Sequence, residues 1–529
     1  MKKNIVLLIA VILLNSCSDS FLDLSNPGTL SPRVYPKSMA DMESIVTSVY
    51  ANLVSVPLYG KRVMAKGTFC TDHTVDMAWT GDNTWNQLAT NQITSDNSYV
   101  STLWLGYYKV ISCANTVLQE VERIDKAQFT EAERTRLSQM RGEAFFWRAW
   151  AHQQLIALWG EGFPCNGDGD KQGVPVRLQV ASTPAALNIG RSSVNEVYAQ
   201  IVSDYREAQP LLPPAWTERA DQSRPTAVAV QSFIGQLFLY QGKYEEARTV
   251  LREVIETSGK SLVPFAGYEK MFNEDQVKFN AESILEINFR NGSSSDYFWY
   301  GEGSQFGLLA ALCYRNAEGN VEAAGWGNIF FHDANIERFG TDPRLAIVAL
   351  EPGTPVVMNG QPTEVMKYKD IEDHLQGWSL RKYNPLKSTV NELNLGVGIN
   401  MYLMRLADVY LMYAEACQAT GNEADARTYV NLVRRRAYNG DASQDITATG
   451  EMLKEAIREE RFKELFGEGV QHWIDVCRWK TLDQEIARWY KHTRVGSPHY
   501  DAKDLYFPIP KVEMENNPNM TQSAGYENE

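Results

Sequence analysis

The chain has 529 residues, in which 65 aspartates and glutamates outnumber 51 lysines and arginines for a net charge of −14 at pH 7. That balance disfavours nucleic acid and anionic membrane surfaces, whose phosphates are held by clustered Lys and Arg. The length is enough for a sizeable core, yet several of the 13 Trp, 25 Tyr and 20 Phe fall in polar, glycine-rich stretches that do not read as core.

The first predicted element is a secretory signal. Lys2 and Lys3 precede a ten-residue apolar run from Ile5 to Leu14, followed by Asn15-Ser16-Cys17. The run is too short to cross a bilayer, which takes about 20 residues, and has the charge, length and small-residue ending of a cleaved leader. A cysteine at the cut predicts lipidation of Cys17, with residues 1–16 removed and the mature chain anchored by lipid. Residues 17–36 are short, acidic and polar and read as a tether. Residues 37–529 read as one α-helical domain with loop-rich insertions at about 60–100 and 260–400.

Helical periodicity then recurs along the chain. It predicts helices over Val100–Arg123, Ala132–Trp159, Ser192–Leu212, Thr226–Gln241, Tyr244–Glu256, Tyr402–Thr420, Ala424–Arg436, Glu451–Phe466 and Trp473–Tyr490. Two pairs are hinged, at Gln241-Gly242-Lys243 and at Gly421-Asn422. Both fit a tetratricopeptide pattern. Gly235 lies twelve positions before Ala247, with Leu251 and Val254 four and seven after it; Ala414 stands likewise to Ala426, with Val430 and Val433 following. The anchors are 179 residues apart, so the pairs do not form a simple tandem array.

Between the helices, three loops combine aromatic rings with glycine and short polar residues. One holds Asp72, Trp79, Asp82, Asn83 and Trp85. A second holds Tyr297, Trp299 and Tyr300 beside Asn291-Gly292-Ser293, and a third holds Trp326 within Ala324-Gly325-Trp326-Gly327-Asn328. An aromatic face stacks on the apolar face of a sugar, while Asp and Asn bond hydroxyls at its edge, so these are the candidate ligand-binding residues. Trp378 is a reserve candidate.

Other patterns point to no chemistry. Cys70, Cys113, Cys165, Cys313, Cys417 and Cys477 are scattered without metal spacing, and Cys417 and Cys477 read as small buried residues. Asn166-Gly167-Asp168-Gly169-Asp170 resembles the start of a calcium loop, but Lys171 replaces the turn glycine and Arg177 the final Glu, which leaves a solvated turn. Arg458, Glu459, Glu460, Arg461 and Glu464 read as surface ion pairs on a solvated helix face. The seven histidines form no zinc motif and there is no nucleophile elbow. No cofactor, metal or catalytic residue is expected.

The chain resembles the SusD/RagB family of outer-membrane nutrient-binding lipoproteins. The resemblance is carried by Cys17 with Phe21-Leu22-Asp23, Arg141-Gly142-Glu143-Ala144 through Arg148-Ala149, and Leu158-Trp159-Gly160-Glu161-Gly162-Phe163-Pro164. It continues through Thr226 to Ala247, Arg405-Leu406-Ala407-Asp408, Tyr413-Ala414-Glu415-Ala416, Ile457-Arg458-Glu459-Glu460-Arg461 to Trp479, and the ending Leu505 to Pro510 with Asn517-Pro518-Asn519-Met520. It implies a mainly α fold of tetratricopeptide-like helical pairs behind a large loop-rich binding face. It also implies an outer-membrane location facing the cell surface, partnership with a SusC-like TonB-dependent transporter, and capture of a glycan or, less often, peptides. In the starch-binding member, aromatics and an Asn from an early loop and a Tyr from a later one form an arc against the sugar. Trp79, Asn83 and Trp85, then Tyr297, Trp299 and Tyr300, occupy comparable loops here. The rival classes are a glycoside hydrolase, which would need two carboxylates about the scissile bond, and a scaffold that binds protein only.

Overall fold

The structure is a computed structural model. It describes residues 35–60, 63, 73–75, 84, 87–88, 91–273, 277–290, 303–305, 312–323, 329–331, 333–358, 361–367, 376–383, 398–489 and 500–528.

The fold is mainly helical. The helix α1 (Met39–Leu53), which the periodicity reading passed over, begins at a capping box in which Ser38 and Asp41 satisfy each other's backbone N–H. It buries Met42, Ile45, Val46, Val49 and Leu53, one face at helical spacing. It packs on α2 (Ser98–Arg123) and α3 (Glu131–Trp159). α3 brings Phe146, Trp147, Trp150 and Trp159 into the core; the first three meet in sequence edge to face, and Tyr107 of α2 meets both Trp150 and Trp159 the same way. α4 (Val194–Ala208) starts at a Ser193–Glu196 capping box. It ends short of the expected Leu212 in a 3₁₀ turn, Gln209–Leu211, since Pro210 has no N–H to continue the helix.

The two hinged pairs form as expected. α5 (Ala227–Tyr240) and α6 (Tyr244–Thr257) turn at Gly242 with φ +72, and α8 (Leu406–Ala419) and α9 (Glu423–Ala437) turn at Gly421 with φ +76. Both glycines adopt the left-handed region that other residues avoid. The pairs pack through α6 against α8, so repeats distant in sequence are neighbours in space. At the first crossing a methyl group on Gly235 would lie 2.4 Å from Leu251 Cδ2. Ala247, Ala414, Ala426, Val430 and Val433 are all fully buried.

Two further helix boundaries differ from expectation. Met401–Arg405 is a strand, β10, rather than the start of α8, because it pairs with β2 (Ser283–Ile287). The last expected helix breaks at Lys480, whose φ of +56 ends α11 (Gln471–Trp479) before α12 (Leu482–Trp489); Tyr490 lies outside the described residues. Here α7 is Asp333–Phe339 and α10 is Gly450–Leu465.

The region 260–400 contains short strands that the sequence did not reveal. β1 (His73–Val75), β5 (Ile329–Phe331), β9 (Ser379–Leu380) and β6 (Ala349–Leu350) form one sheet in the order β1-β5-β9-β6. β4 (Val321–Ala323), β3 (Cys313–Arg315), β8 (Gln361–Met366) and β7 (Pro355–Met358) form another, with its own small core of Leu312, Leu350, Val356, Met358 and Val365.

A buried ion network ties these strands to the helices and corrects the reading of α10 as a solvated charged face. Arg458 does pair outward with Glu455, but Glu460, Arg461 and Glu464 are buried. Arg405, at the end of β10, bonds Glu282 at 2.8 Å, Glu464 at 2.6 Å and Glu468 at 2.6 Å. Arg344 reaches Glu464 at 2.9 Å, Arg436 of α9 bonds Glu464 and Glu282, and Lys382, just past β9, bonds Glu468 at 2.8 Å. Arg461 meanwhile bonds Asp408 and Asp475. The partners of Glu464 and Arg461 are far away in sequence, which is why i,i+3 spacing missed them.

Candidate functional site

Asp72, Trp79, Asp82, Asn83, Trp85, Tyr297, Trp299, Tyr300 and Trp326 all lie outside the described residues, as does Cys17. What the structure describes is how the chain enters and leaves the three loops that contain the ligand candidates.

The first and third loops share a root. β1 and β5 pair antiparallel in the register His73↔Phe331, Thr74↔Phe330, Val75↔Ile329. The chain running forward from Val75 and the chain arriving at Ile329 therefore meet the strand pair at one end, with opposed Cα atoms about 5 Å apart. Trp79 is four residues after Val75, and Trp326 three residues before Ile329. This root is fixed to the helical core, since Phe331 is buried with its ring 4.5 Å from that of Phe466, just past α10. Phe331 N–H also donates to the Trp378 carbonyl at 2.9 Å, and half-buried Trp378 packs against the main core. The reserve candidate thus serves at least as a packing residue beside this root.

A second anchor holds Thr84, which stands between Asn83 and Trp85. Asn97 is the N-cap of α2, its side-chain oxygen accepting from the N–H groups of Tyr99 and Val100. Its amide nitrogen points the other way, donating to the Thr84 carbonyl at 3.2 Å and to Gln87 Oε1 at 2.7 Å. One buried side chain caps a long helix and ties down the early loop. Reading the sequence for loop chemistry overlooked Asn97, although Asp96-Asn97-Ser98 ahead of an apolar period is a cap signal.

The second loop is held at both sides. Where it begins, β2 and β10 pair with Ile287 opposite Met401, and Asn400 Oδ1 accepts from Phe289 N–H at 2.9 Å. Where it ends, Gln305 N–H donates to the Gly60 carbonyl at 2.7 Å, so the chain leaving the second loop lies against the chain entering the first.

The electrostatics of the described part are structural. Glu464 and Glu468 are buried, which by itself would raise their pKa; the facing cations, Arg436, Arg405 and Arg344 for the first and Arg405 and Lys382 for the second, outweigh burial and hold both below the usual range. His152 is pulled down to about 4 by burial and is neutral at pH 7. The Asp168 turn forms with Gly167 at φ +78, but Asp168 is buried, not solvated, and pairs with Lys171 at 2.9 Å and Lys480 at 3.6 Å. Among the described residues no group of His, Cys, Asp and Glu could hold a metal ion. Cys417 and Cys477 are buried, as expected of small core residues. No helix among the described residues is long and apolar enough to cross a membrane.

Comparison with known proteins shows two family matches. Residues 20–239 match a SusD-like family described as starch-binding and associating with the outer membrane, and residues 281–526 match the SusD family. A SusD-like protein P2 of Formosa agariphila is 25% identical over 99% of this chain and 100% of its own length. A SusD-like protein of Bacteroides ovatus is 25% identical over 90% of this chain and 82% of its own. Among solved structures, a SusD homologue from Bacteroides thetaiotaomicron superposes with a TM-score of 0.75 at 18% identity, covering 93% of this chain and 97% of that one. A laminarin-binding SusD-like protein superposes with a TM-score of 0.73 at 22% identity, covering 93% and 100%.

Proposed function

Because this chain belongs to the SusD/RagB family, we propose that it is a cell-surface receptor that captures an oligosaccharide or polysaccharide and hands it to a SusC-like TonB-dependent transporter in the outer membrane. It binds without cleaving. Rings of Trp79, Trp85, Trp299 and Trp326, with Tyr297 and Tyr300, stack on sugar faces, and Asp72, Asp82 and Asn83 bond hydroxyls. The observation that carries this reading is the convergence of loop roots. The β1–β5 register supports it by setting one end of the first loop beside one end of the third, and the Gln305–Gly60 bond by setting the end of the second beside the approach to the first.

The test is binding by the mature chain to a panel of polysaccharides and peptides, with Trp79→Ala, Trp85→Ala and Trp299→Ala titrated against the best ligand. At least one variant is expected to weaken binding about tenfold, the loss of one ring platform worth ~1–2 kcal/mol, at unchanged thermal stability. Normal binding by all three variants, or turnover of the ligand by the purified chain, defeats the reading.

Anchoring is tested separately. Cys17→Ala is expected to abolish labelling by a radioactive fatty acid and to release the chain from the outer-membrane fraction. The lipid anchor, and with it capture at the cell surface, falls if the variant still labels. Copurification of a TonB-dependent transporter with the anchored wild-type chain is the corresponding check on delivery.

A further inference from the structure

A groove of about 320 Å³ lies on the helical side of the molecule, between the loop that joins α4 to α5, the end of α6 and the start of β2. Its size falls at the lower end of small-ligand sites, about 300–1,000 Å³. Two half-buried aromatic rings line it. Trp216 is held by its indole N–H, which donates to the Pro225 carbonyl at 3.0 Å, and by the Arg136 guanidinium 5.5 Å from its ring centre. Phe279 is the more unusual. Its φ is +55, a left-handed backbone that bulky side chains avoid. That backbone is locked from below, because Phe279 N–H donates to the buried Glu286 carboxylate at 2.9 Å and Asn400 bonds the same carboxylate at 2.7 Å. A strained backbone over-determined by its surroundings, with an aromatic ring in a groove wall, is the kind of outlier that marks binding sites.

Two cations flank these rings, in a protein whose arginines mostly sit in ion pairs. Lys260 lines the groove half-buried, and Arg219 lies on its rim with its guanidinium carbon 5.8 Å from the Phe279 ring centre. Neither side chain makes an ion pair or hydrogen bond among the described residues. Burial draws the Lys260 pKa down, and the nearby Glu286 carboxylate opposes that shift without cancelling it. Gln222 and Ser258 are also among the lining residues.

We infer that this groove is a second saccharide site, selective for a sugar ring carrying a carboxylate or sulfate, with Trp216 and Phe279 as ring platforms and Lys260 and Arg219 as the receptors of the anionic group. Aromatic faces with an amide and a hydroxyl beside them suit a ring that is apolar on its faces and polar at its edge. The unpaired cations add the preference for charge, in a chain whose net negative charge would otherwise repel such a ligand. The groove touches Ser283 and Ile284 at the start of β2, and its Phe279 wall is tied through Glu286 to Asn400, which also holds Phe289 where the second loop begins; the loop variants below test whether the two sites bind separately.

The experiment titrates the full mature chain with oligogalacturonate, sulfated carrageenan oligosaccharide, neutral laminarin oligosaccharide and poly-glutamate, each at low and high salt. The chain is expected to bind at least one of the two anionic saccharides, and which one identifies the charged group. Lys260→Met, which keeps the apolar stem, is expected to weaken that binding about tenfold or more and to flatten its salt dependence. Trp216→Ala is expected to weaken it at retained thermal stability; should that variant unfold, Lys260→Met and Arg219→Ala decide. Trp79→Ala, Trp85→Ala and Trp299→Ala are expected to leave it unchanged, which separates this site from the loop face. The inference is overturned if neither anionic saccharide binds, if Lys260→Met binds as wild type, if the loop variants abolish the binding, or if poly-glutamate binds and the anionic saccharides do not.

Discussion

Glu464→Gln is expected to lower the unfolding free energy by about 3–5 kcal/mol, the usual consequence of leaving buried charge uncompensated. Glu464 is wholly buried, accepts from Arg405 and Arg344 at 2.6 and 2.9 Å, and also bonds Arg436. The amide keeps the shape and removes the charge, so three arginines share one fewer counter-ion where water cannot replace it. The effect reaches the loop roots, because Arg405 ends β10, Lys382 follows β9, and Glu282 precedes β2, all joined through Glu464 and Glu468. Chemical denaturation of the mature chain is the measurement, and a loss below about 1 kcal/mol would show that the network is dispensable. The same groups set the response to acid. The folded chain holds Glu464, Glu468 and Asp342 below their ordinary values despite burial, so the unfolded chain binds more protons. Their contribution is full above about pH 4.5, the ordinary Glu value, and is lost as pH falls below it through their folded values. Glu286, Asp204 and Asp408, whose pKa burial raises, work in the opposite direction. A denaturation series in pH is expected to show stability falling below pH 4.5, with Glu464→Gln showing a shallower fall.

Gly235→Leu is expected to cost about 1–3 kcal/mol by overpacking, with Ala414→Leu similar at the partner crossing. A Cβ on Gly235 already meets Leu251 at 2.4 and 2.6 Å, and Leu251 is itself fully buried. The pairing can be isolated by a double-mutant cycle. Gly235→Ala and Leu251→Ala should each destabilise, while the double variant should cost less than their sum, because the truncated Leu251 makes room for the new methyl. Strict additivity, or an unchanged melting temperature for both leucine variants, would show that these positions are not packed helix crossings.

The sequence determined the helical scaffold because the information is local. Apolar residues at helical spacing marked the long helices, glycine marked both hinges, and small residues twelve positions before Ala247 and Ala426 marked the crossings where α5 meets α6 and α8 meets α9. The Ser193–Glu196 capping box starts α4, and Pro210 stops it short of the expected Leu212. Composition alone marked three aromatic segments as candidates, but which strands flank them could not be read there. β1, β5 and β9 are two or three residues each, too short for a periodic signal, and exist because Phe331 and its neighbours find partners 40 to more than 200 residues away. The charged face of α10 looked solvated for the same reason. Burial of Glu460, Arg461 and Glu464 depends on Arg344, Arg405, Arg436 and Asp408 arriving from other elements. Helix period and capping are fixed within a few residues of chain; strand register, ion pairing and the meeting of loop ends are fixed by distant segments, and only the tertiary structure decides those.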